Sequence, residues 1–189
     1  MQKLIYSLFL LFYTCIAAED DDCPNIITRD KWTSVPSRNV NYLIAPIPYV
    51  IIHHTATQGC NTKSACIDEV ESIRSFHMDA YSWNDIGYSF LIGGDGNVYE
   101  GCGWNREGAH TYRYNKKSIG IAFLGNYQTV NASDAMVNVA HKLILCGKAQ
   151  GILKEDVRVL GGRQLISSLS PGAKLYDQIR NWQEWSSSP

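Results

Sequence analysis

The chain has 189 residues, 45% of them hydrophobic and 19% charged, with 17 Lys+Arg against 18 Asp+Glu and a formal charge of −1. That apolar content excludes a disordered chain, and the near balance of charge excludes a strongly basic nucleic-acid surface. The length suits one ordinary domain or two small ones.

In chain order, residues 1–18 come first. Lys3 precedes an apolar run over 4–12, and Ala17 and Ala18 close the segment. This is the pattern of a secretory signal peptide, which implies an extracellular protein. A membrane span is the competing reading, but the run is short and broken by Tyr6, Ser7, Tyr13 and Thr14, whereas a span needs about 20 apolar residues. Cleavage after Ala18 would remove Lys3 and leave a slightly more acidic chain, beginning with the acidic stretch 19–22. No second long apolar run follows, so the mature chain is expected to be soluble, with no membrane span.

Cys15 would leave with the signal, and Cys23, Cys60, Cys66, Cys102 and Cys146 would remain, an odd number. A secreted chain pairs what it can, but spacing alone does not give the connectivity. Cys60 and Cys66 are the most local pair. No CxxC spacing occurs, so the cysteines make a poor metal set. Asn131-Ala132-Ser133 is a glycosylation sequon, meaningful for a secreted chain.

The β-branched run at 48–55 reads as a buried strand that ends in polar residues. Ile67, Val70, Ile73, Phe76 and Ala80 recur at helical spacing and predict an amphipathic helix over 65–80, with these residues inward. Residues 88–92 and 98–100 read as strands joined by the turn-rich 93–97, a hairpin. A further strand is expected at 119–124. Ser133 can cap a helix running to Gln150, with Gly151 as its stop. A short strand is expected at 157–160, and Pro171 can open a last helix with Leu175, Ile179 and Trp182 inward. This alternation predicts an α/β fold: one mixed central β-sheet flanked by helices.

Candidate chemistry begins with His53 and His54 at the end of the first strand. Taken alone, such a pair reads as two hydrogen-bonded structural histidines, and only one of them can face a given cleft. His77 and His141 fall in expected helices, whereas His110 follows a glycine-rich loop. Trp83 and Trp104 lie in loops beside glycines, where aromatic rings either fill a core or line a surface for sugars and peptides.

Six segments occur in order: Pro-Tyr-Val-Ile-Ile-His-His-Thr at 48–55, Trp-Asn-Asp-Ile-Gly-Tyr-Ser-Phe-Leu-Ile-Gly at 83–93, Asp-Gly-Asn-Val-Tyr-Glu-Gly at 95–101, Gly-Ala-His-Thr at 108–111, Ser-Ile-Gly-Ile-Ala-Phe-Leu-Gly-Asn at 118–126 and Ser-Pro-Gly at 170–172. Together they resemble the peptidoglycan recognition proteins, and among them the short secreted insect forms, over about 23–185 of a single domain at 19–189. The resemblance implies the fold of the phage-lysozyme type N-acetylmuramoyl-L-alanine amidases, with a groove for muramyl peptides. Catalytic members carry zinc on two histidines and a cysteine, assisted by a tyrosine. The first histidine falls on His53 and the tyrosine on Tyr88, but the second histidine position is Gly162 and the cysteine position is Ser170. Glycine offers no ligand, and a serine hydroxyl is a poor one beside a thiolate. The expectation is therefore no zinc cofactor and no amidase activity.

The resemblance also pairs Cys60 with Cys66 and Cys23 with Cys146, which leaves Cys102 alone. Groove candidates by resemblance are His53, Thr55, Trp83, Tyr88, Trp104, Asn105, His110, Tyr112, Ser168 and Ser170. Arg163 is a candidate for a stem-peptide carboxylate, and Lys116 reads as a solvated surface charge. The expected function is that of a secreted innate-immune receptor that binds peptidoglycan without cutting it and engages partners in a signalling cascade. The alternatives are a zinc amidase with replaced ligands, a hydrolase using Ser170 or Ser168 activated by His53, and a structural protein. For ligand type, Gly103-Trp104 points by resemblance to diaminopimelate-type peptides and Ser170 to lysine-type ones, so the type stays open.

Overall fold

A computed structural model describes residues 23–189. The expected signal peptide, Cys15 and the acidic stretch 19–22 lie outside the described residues. Six strands form one sheet in the order β1 (Ile26–Ile27), β4 (Val98–Glu100), β3 (Phe90–Ile92), β5 (Ser118–Phe123), β2 (Ile47–His54) and β6 (Leu153–Gly161). Only β3 and β4 pair antiparallel, and every other neighbour pairs in parallel. This is the mixed sheet that the alternation of strands and helices predicts.

The hairpin closes as turn chemistry requires. The Gly93 amide donates to the Asn97 carbonyl at 3.0 Å, and Gly96 takes φ +80°, a conformation costly for residues with a Cβ. The edge strand β1 carries too little periodicity to be read from sequence. β6 is longer than its pattern suggests because a register shift against β2 leaves 154–156 exposed before Val157 returns to the core, which interrupts the apolar alternation.

Helix α1 (Lys63–Ala80) starts at Thr62, whose hydroxyl accepts from the Ala65 amide, and α2 (Asp134–Ala149) starts at Ser133, whose hydroxyl accepts from Met136. α2 stops at Gly151, which has φ +67°. The last helix, α3 (Ala173–Ile179), begins two residues beyond Pro171 and buries Leu175 and Ile179. Val50, Ile52, Phe90, Ile121 and Phe123 meet α2 in the main core, while Leu91, Tyr99 and Leu124 meet Val70 and Ile73 of α1 in a second cluster. Phe76 and Ala80 do not point inward as their spacing predicts: Phe76 is 55% exposed, and the inner face of α1 runs through Val70, Ile73, Arg74, His77 and Met78 instead.

Disulfides join Cys60 to Cys66 and Cys23 to Cys146, and Cys102 is free and buried. The Cys102 thiol donates to the Ile86 carbonyl, and burial pushes its pKa up to about 12, so it is an inert core residue. No helix among the described residues is long and apolar enough to cross a membrane.

Candidate functional site

Strand alternation separates the two adjacent histidines. His54 shares the side of Val50 and Ile52, and its Nδ1 accepts from the Tyr127 amide at 3.1 Å. His53 faces the other side and is 4% exposed. Its Nδ1 lies 3.2 Å from Ser170 Oγ and its Nε2 lies 2.9 Å from Thr111 Oγ1. The His54 amide donates to Ser170 Oγ at 3.1 Å, which leaves the hydroxyl proton to be donated to His53 Nδ1. In that arrangement His53 Nε2–H donates to Thr111, and Thr111 donates on to Nδ1 of His110, 3.0 Å away. His110 Nε2 is then left buried and without a partner.

The His110 ring lies flat against the sheet because position 120 is glycine; a methyl there would collide with the ring. Burial drives the pKa of His53 well below its ordinary value, with His110 and His54 adding to the effect, and burial lowers His110 to about 4. Both rings are therefore neutral at physiological pH.

Gly162 follows β6, and a Cβ built on it would stand 2.6 Å from His53 Cε1. The positions 53, 162 and 170 thus converge, as the resemblance implies for a ligand set. A hydrolytic zinc site takes three protein donors and a water. The residues present are one imidazole with both nitrogens in hydrogen bonds, one alcohol and one glycine. They do not fit the ion. Among the described residues no three His, Cys, Asp or Glu side chains gather as a metal set.

Beside His53 opens a cavity of about 460 Å³, lined by Thr55, Thr57, Ser72, Ile73, Phe76, His77, Tyr81, Trp83 and Tyr88. Tyr88 links the two regions, with its ring 5.8 Å from that of His53 and 5.5 Å from that of His77. Burial raises the Tyr88 hydroxyl to about 12, so it remains a donor. His77 accepts the Gly87 amide on Nδ1 at 3.0 Å, and burial lowers its pKa to about 4. Trp83 rests on His77 at 4.7 Å and lies over Gly87, where a Cβ would meet the indole at 2.5 Å. Thr55 accepts the Gly125 amide at 2.9 Å and bonds Thr57 at 2.6 Å. Phe76 and Tyr81, 55% and 53% exposed, form an apolar rim.

His53, Thr55, Trp83, Tyr88, His110 and Ser170 thus come together in one region. Ser168 is exposed and acts locally, accepting the Ser170 amide at 3.0 Å. Tyr112 is 74% exposed, with Arg113 5.5 Å from its ring centroid. Two candidates lie outside the lining of this cavity. Trp104 packs on Phe90 at 4.5 Å and against Gly147 of α2, on the side of the sheet away from His53. Asn105 is exposed, and its carbonyl accepts from Leu43 at 2.8 Å in a contact with the N-terminal segment. Gly103-Trp104 therefore does not line this cavity. Arg163 is held locally, donating to the Leu169 carbonyl at 2.9 Å and covering the Tyr176 ring. Thr57, Phe76, His77, Tyr81 and Thr111 were not among the groove candidates from sequence; Phe76 and His77 were placed only in a helix. The signal available was the density of aromatic residues at 76–88.

Residues 44–173 match the family model described as N-acetylmuramoyl-L-alanine amidase. Together with the sheet order and the convergence at His53, this defines an amidase-type domain. The chain is 46% identical to a peptidoglycan recognition protein of Trichoplusia ni, over 94% of this chain and 97% of that one. The solved structure of bumblebee PGRP-SA is 64% identical with a TM-score of 0.87, covering 88% of this chain and 100% of that one. A structure of peptidoglycan recognition protein-LE in complex with tracheal cytotoxin, a monomeric diaminopimelic acid-type peptidoglycan, is 36% identical with a TM-score of 0.84, over 86% and 96% of the two chains. The chain belongs to the peptidoglycan recognition protein family.

Proposed function

We propose that this chain is a secreted immune receptor that binds a muramyl peptide in the cavity beside His53, leaves it uncut, and passes the signal to protein partners of a cascade. One observation carries the reading: an open cavity with an apolar aromatic rim and neutral polar walls adjoins a cluster whose donor set does not fit zinc. Sugar and stem-peptide methyls would pack on Phe76, Tyr81 and Trp83, while Thr55, Thr57, His77 and Tyr88 supply hydrogen-bond partners. The complex of the LE relative with a peptidoglycan fragment supports the same class of ligand here. Without an activated water, the lactyl amide has no attacking nucleophile. Secretion follows from the expected signal at 1–18, and a glycan on exposed Asn131 is compatible with it.

The test is titration of soluble muropeptides of lysine and diaminopimelate type, with hydrolysis followed in the same samples. Binding without release of peptide, with or without added zinc, is expected. Trp83→Ala should weaken binding by about 1–3 kcal/mol. Failure of both peptide types to bind, or turnover abolished by chelator and restored by zinc, would overturn the proposal.

The contact between Ser170 and His53 favours a second reading, a serine-based peptidase. Against it, Thr111 holds the far nitrogen of His53, where a serine hydrolase places a carboxylate. A serine-reactive probe that labels Ser170 in the native chain but not in His53→Ala would establish it.

A further inference from the structure

Trp83 lines a second cavity besides the one at His53. This one, of about 300 Å³, opens between the N-terminal segment 37–41, the loop 82–86 and the loop 106–109. Backbone hydrogen bonds fix its walls. The Arg38 amide donates to the Asn84 carbonyl at 2.9 Å, the Glu107 amide to the Asn41 carbonyl at 2.8 Å and the Ala109 amide to the Gly87 carbonyl at 2.8 Å. Asn39 and Asn115 each use only the side-chain oxygen, which accepts the Val40 amide at 2.9 Å and the Thr111 amide at 2.7 Å, so both side-chain NH2 groups are free. The side chains of Asn41, Ser82 and Asn84 also line the cavity and make no hydrogen bond among the described residues. Arg106 donates from Nε and one terminal nitrogen to the Cys102 and Gly101 carbonyls at 2.8 and 3.2 Å, and its other terminal nitrogen reaches Ser37 Oγ at 3.4 Å, which leaves part of its donor fork unused. It forms no ion pair among the described residues. Charge is balanced in the lining: Glu107 follows Arg106, and Asp85 is already held by Arg74 at 2.7 Å and Arg29 at 2.8 Å. Val40 and Ala109 add small patches of apolar surface.

We infer that this cavity is a second binding site, taking one uncharged pyranose ring that carries an acetamido group. Ring hydroxyls both donate and accept, and here they meet carboxamides, a hydroxyl, a guanidinium and a carboxylate that the fold leaves wholly or partly without partners. The acetamido group needs the same amide pairing and a small apolar surface for its methyl, which Val40 and Ala109 supply. The walls are set by backbone hydrogen bonds before any ligand arrives, so little ordering is needed on binding. An anion fits less well, because Glu107 offsets Arg106. A protein partner fits less well, because the cavity has no apolar centre for a partner to bury. The volume is at the small end of ligand cavities and suits a single ring rather than an extended peptide. The source of such a ring in a bacterial wall, the glycan strand, rests on the muramyl-peptide proposal. The contacts do not, since Trp83 is the one lining residue that the two cavities share.

The experiment titrates the full chain with tri-N-acetylchitotriose, a neutral oligomer of acetamido rings, and with cellotriose, whose rings lack that group, and follows side-chain amide signals by NMR. Chitotriose should bind with a Kd of about 1 mM or tighter, and cellotriose about tenfold more weakly. The shifts should centre on the side-chain amides of Asn39, Asn41, Asn84 and Asn115. A rise in salt of about fourfold should leave the affinity unchanged, because the ligand carries no charge to screen. Asn41→Ala with Asn84→Ala should weaken chitotriose binding about tenfold, as for two lost hydrogen bonds. The same variant should keep its melting temperature and its muropeptide binding, because neither side chain bonds within the fold. Tyr81→Ala should weaken muropeptide binding alone. Peptide-free glycan strands of bacterial wall should displace chitotriose, and strands that do not would overturn the wall as the source. No chitotriose binding at about 10 mM, equal affinity for cellotriose, shifts centred on Thr55, Phe76 and Tyr81, or unchanged binding in the double alanine variant would overturn the inference. Failure of muropeptides to bind the native chain, with chitotriose binding intact, would instead overturn the groove proposal and leave this one standing.

Discussion

At position 162 a hydrogen atom stands where a side chain would touch the His53 ring, and at 170 a hydroxyl stands beside Nδ1. His53 is held by neutral partners on both nitrogens and has no charge to balance. If the backbone there is otherwise that of a metal site, two changes should recreate it. Gly162→His with Ser170→Cys is expected to bind about one equivalent of zinc after dialysis, measured by atomic absorption, while the native chain retains none. A double variant that folds but stays metal-free would mean that the three positions do not converge as described.

Single elements are placed by a few cross-links. Asp85 sits in the loop that carries Trp83 and Tyr88 and is 7% exposed. Its carboxylate receives Arg74 Nε at 2.7 Å, Arg29 at 2.8 Å, the Ile86 amide at 2.8 Å and the Ser37 hydroxyl. Burial alone would raise its pKa, but Ser37, Arg74, the Ile86 amide and the charge of Arg29 outweigh burial and hold it below the ordinary value. The cluster ties the N-terminal segment, α1 and the groove loop together. Asp85→Ala leaves two arginines facing an empty site, so a loss of about 3–5 kcal/mol is expected in urea unfolding, with muropeptide affinity falling in parallel. A loss below about 1 kcal/mol would show that the loop is held by packing alone.

The disulfides act at the same scale but unequally. Cys23–Cys146 spans a sequence separation of 123 and Cys60–Cys66 one of 6. Chain-entropy arguments give about 5 kcal/mol for the first and about 2 kcal/mol for the second. Paired Cys→Ser variants should lose stability in that order when compared by chemical denaturation. The reverse order would mean that the short bridge holds the start of α1 by more than entropy.

For the whole molecule, the buried histidines set the response to acid. His77 and His110 have an ordinary pKa of 6.5, and burial takes both to about 4 in the fold. Between those values the unfolded chain binds more protons than the native one. Stability is therefore full above about pH 6.5 and is lost as pH falls toward 4, at up to about 1.4 kcal/mol per pH unit for each group. Thermal unfolding from pH 7.5 to 4 should show this decline, and His110→Gln should flatten it. An unchanged slope in that variant would show that His110 is not buried in its neutral form.

Much of this was legible in the sequence. The caps at Ser133 and Gly151, the turn at 93–97 and the apolar runs of β2 and β5 are local signals, and each element appears where its signal stands. The convergence of positions 53, 162 and 170 follows the order of the motifs that carry the resemblance, and the pairing of four cysteines was legible through the same resemblance. Other features belong to the tertiary structure. Period alone placed Phe76 inward, yet it lines the cavity, because the loop at 81–88 folds beside α1 and redefines which face is core. Trp104 looked like a groove residue from its glycine-flanked loop, but Phe90 and α2 bury one side of it behind the sheet. The bridge from His53 through Thr111 to His110 joins residues far apart in sequence. Chain-local chemistry determined the elements and put a glycine at 162 and a serine at 170. Only the packing of loops against the sheet decided which side chains meet in the groove, because burial and contact depend on what the rest of the chain brings to each face.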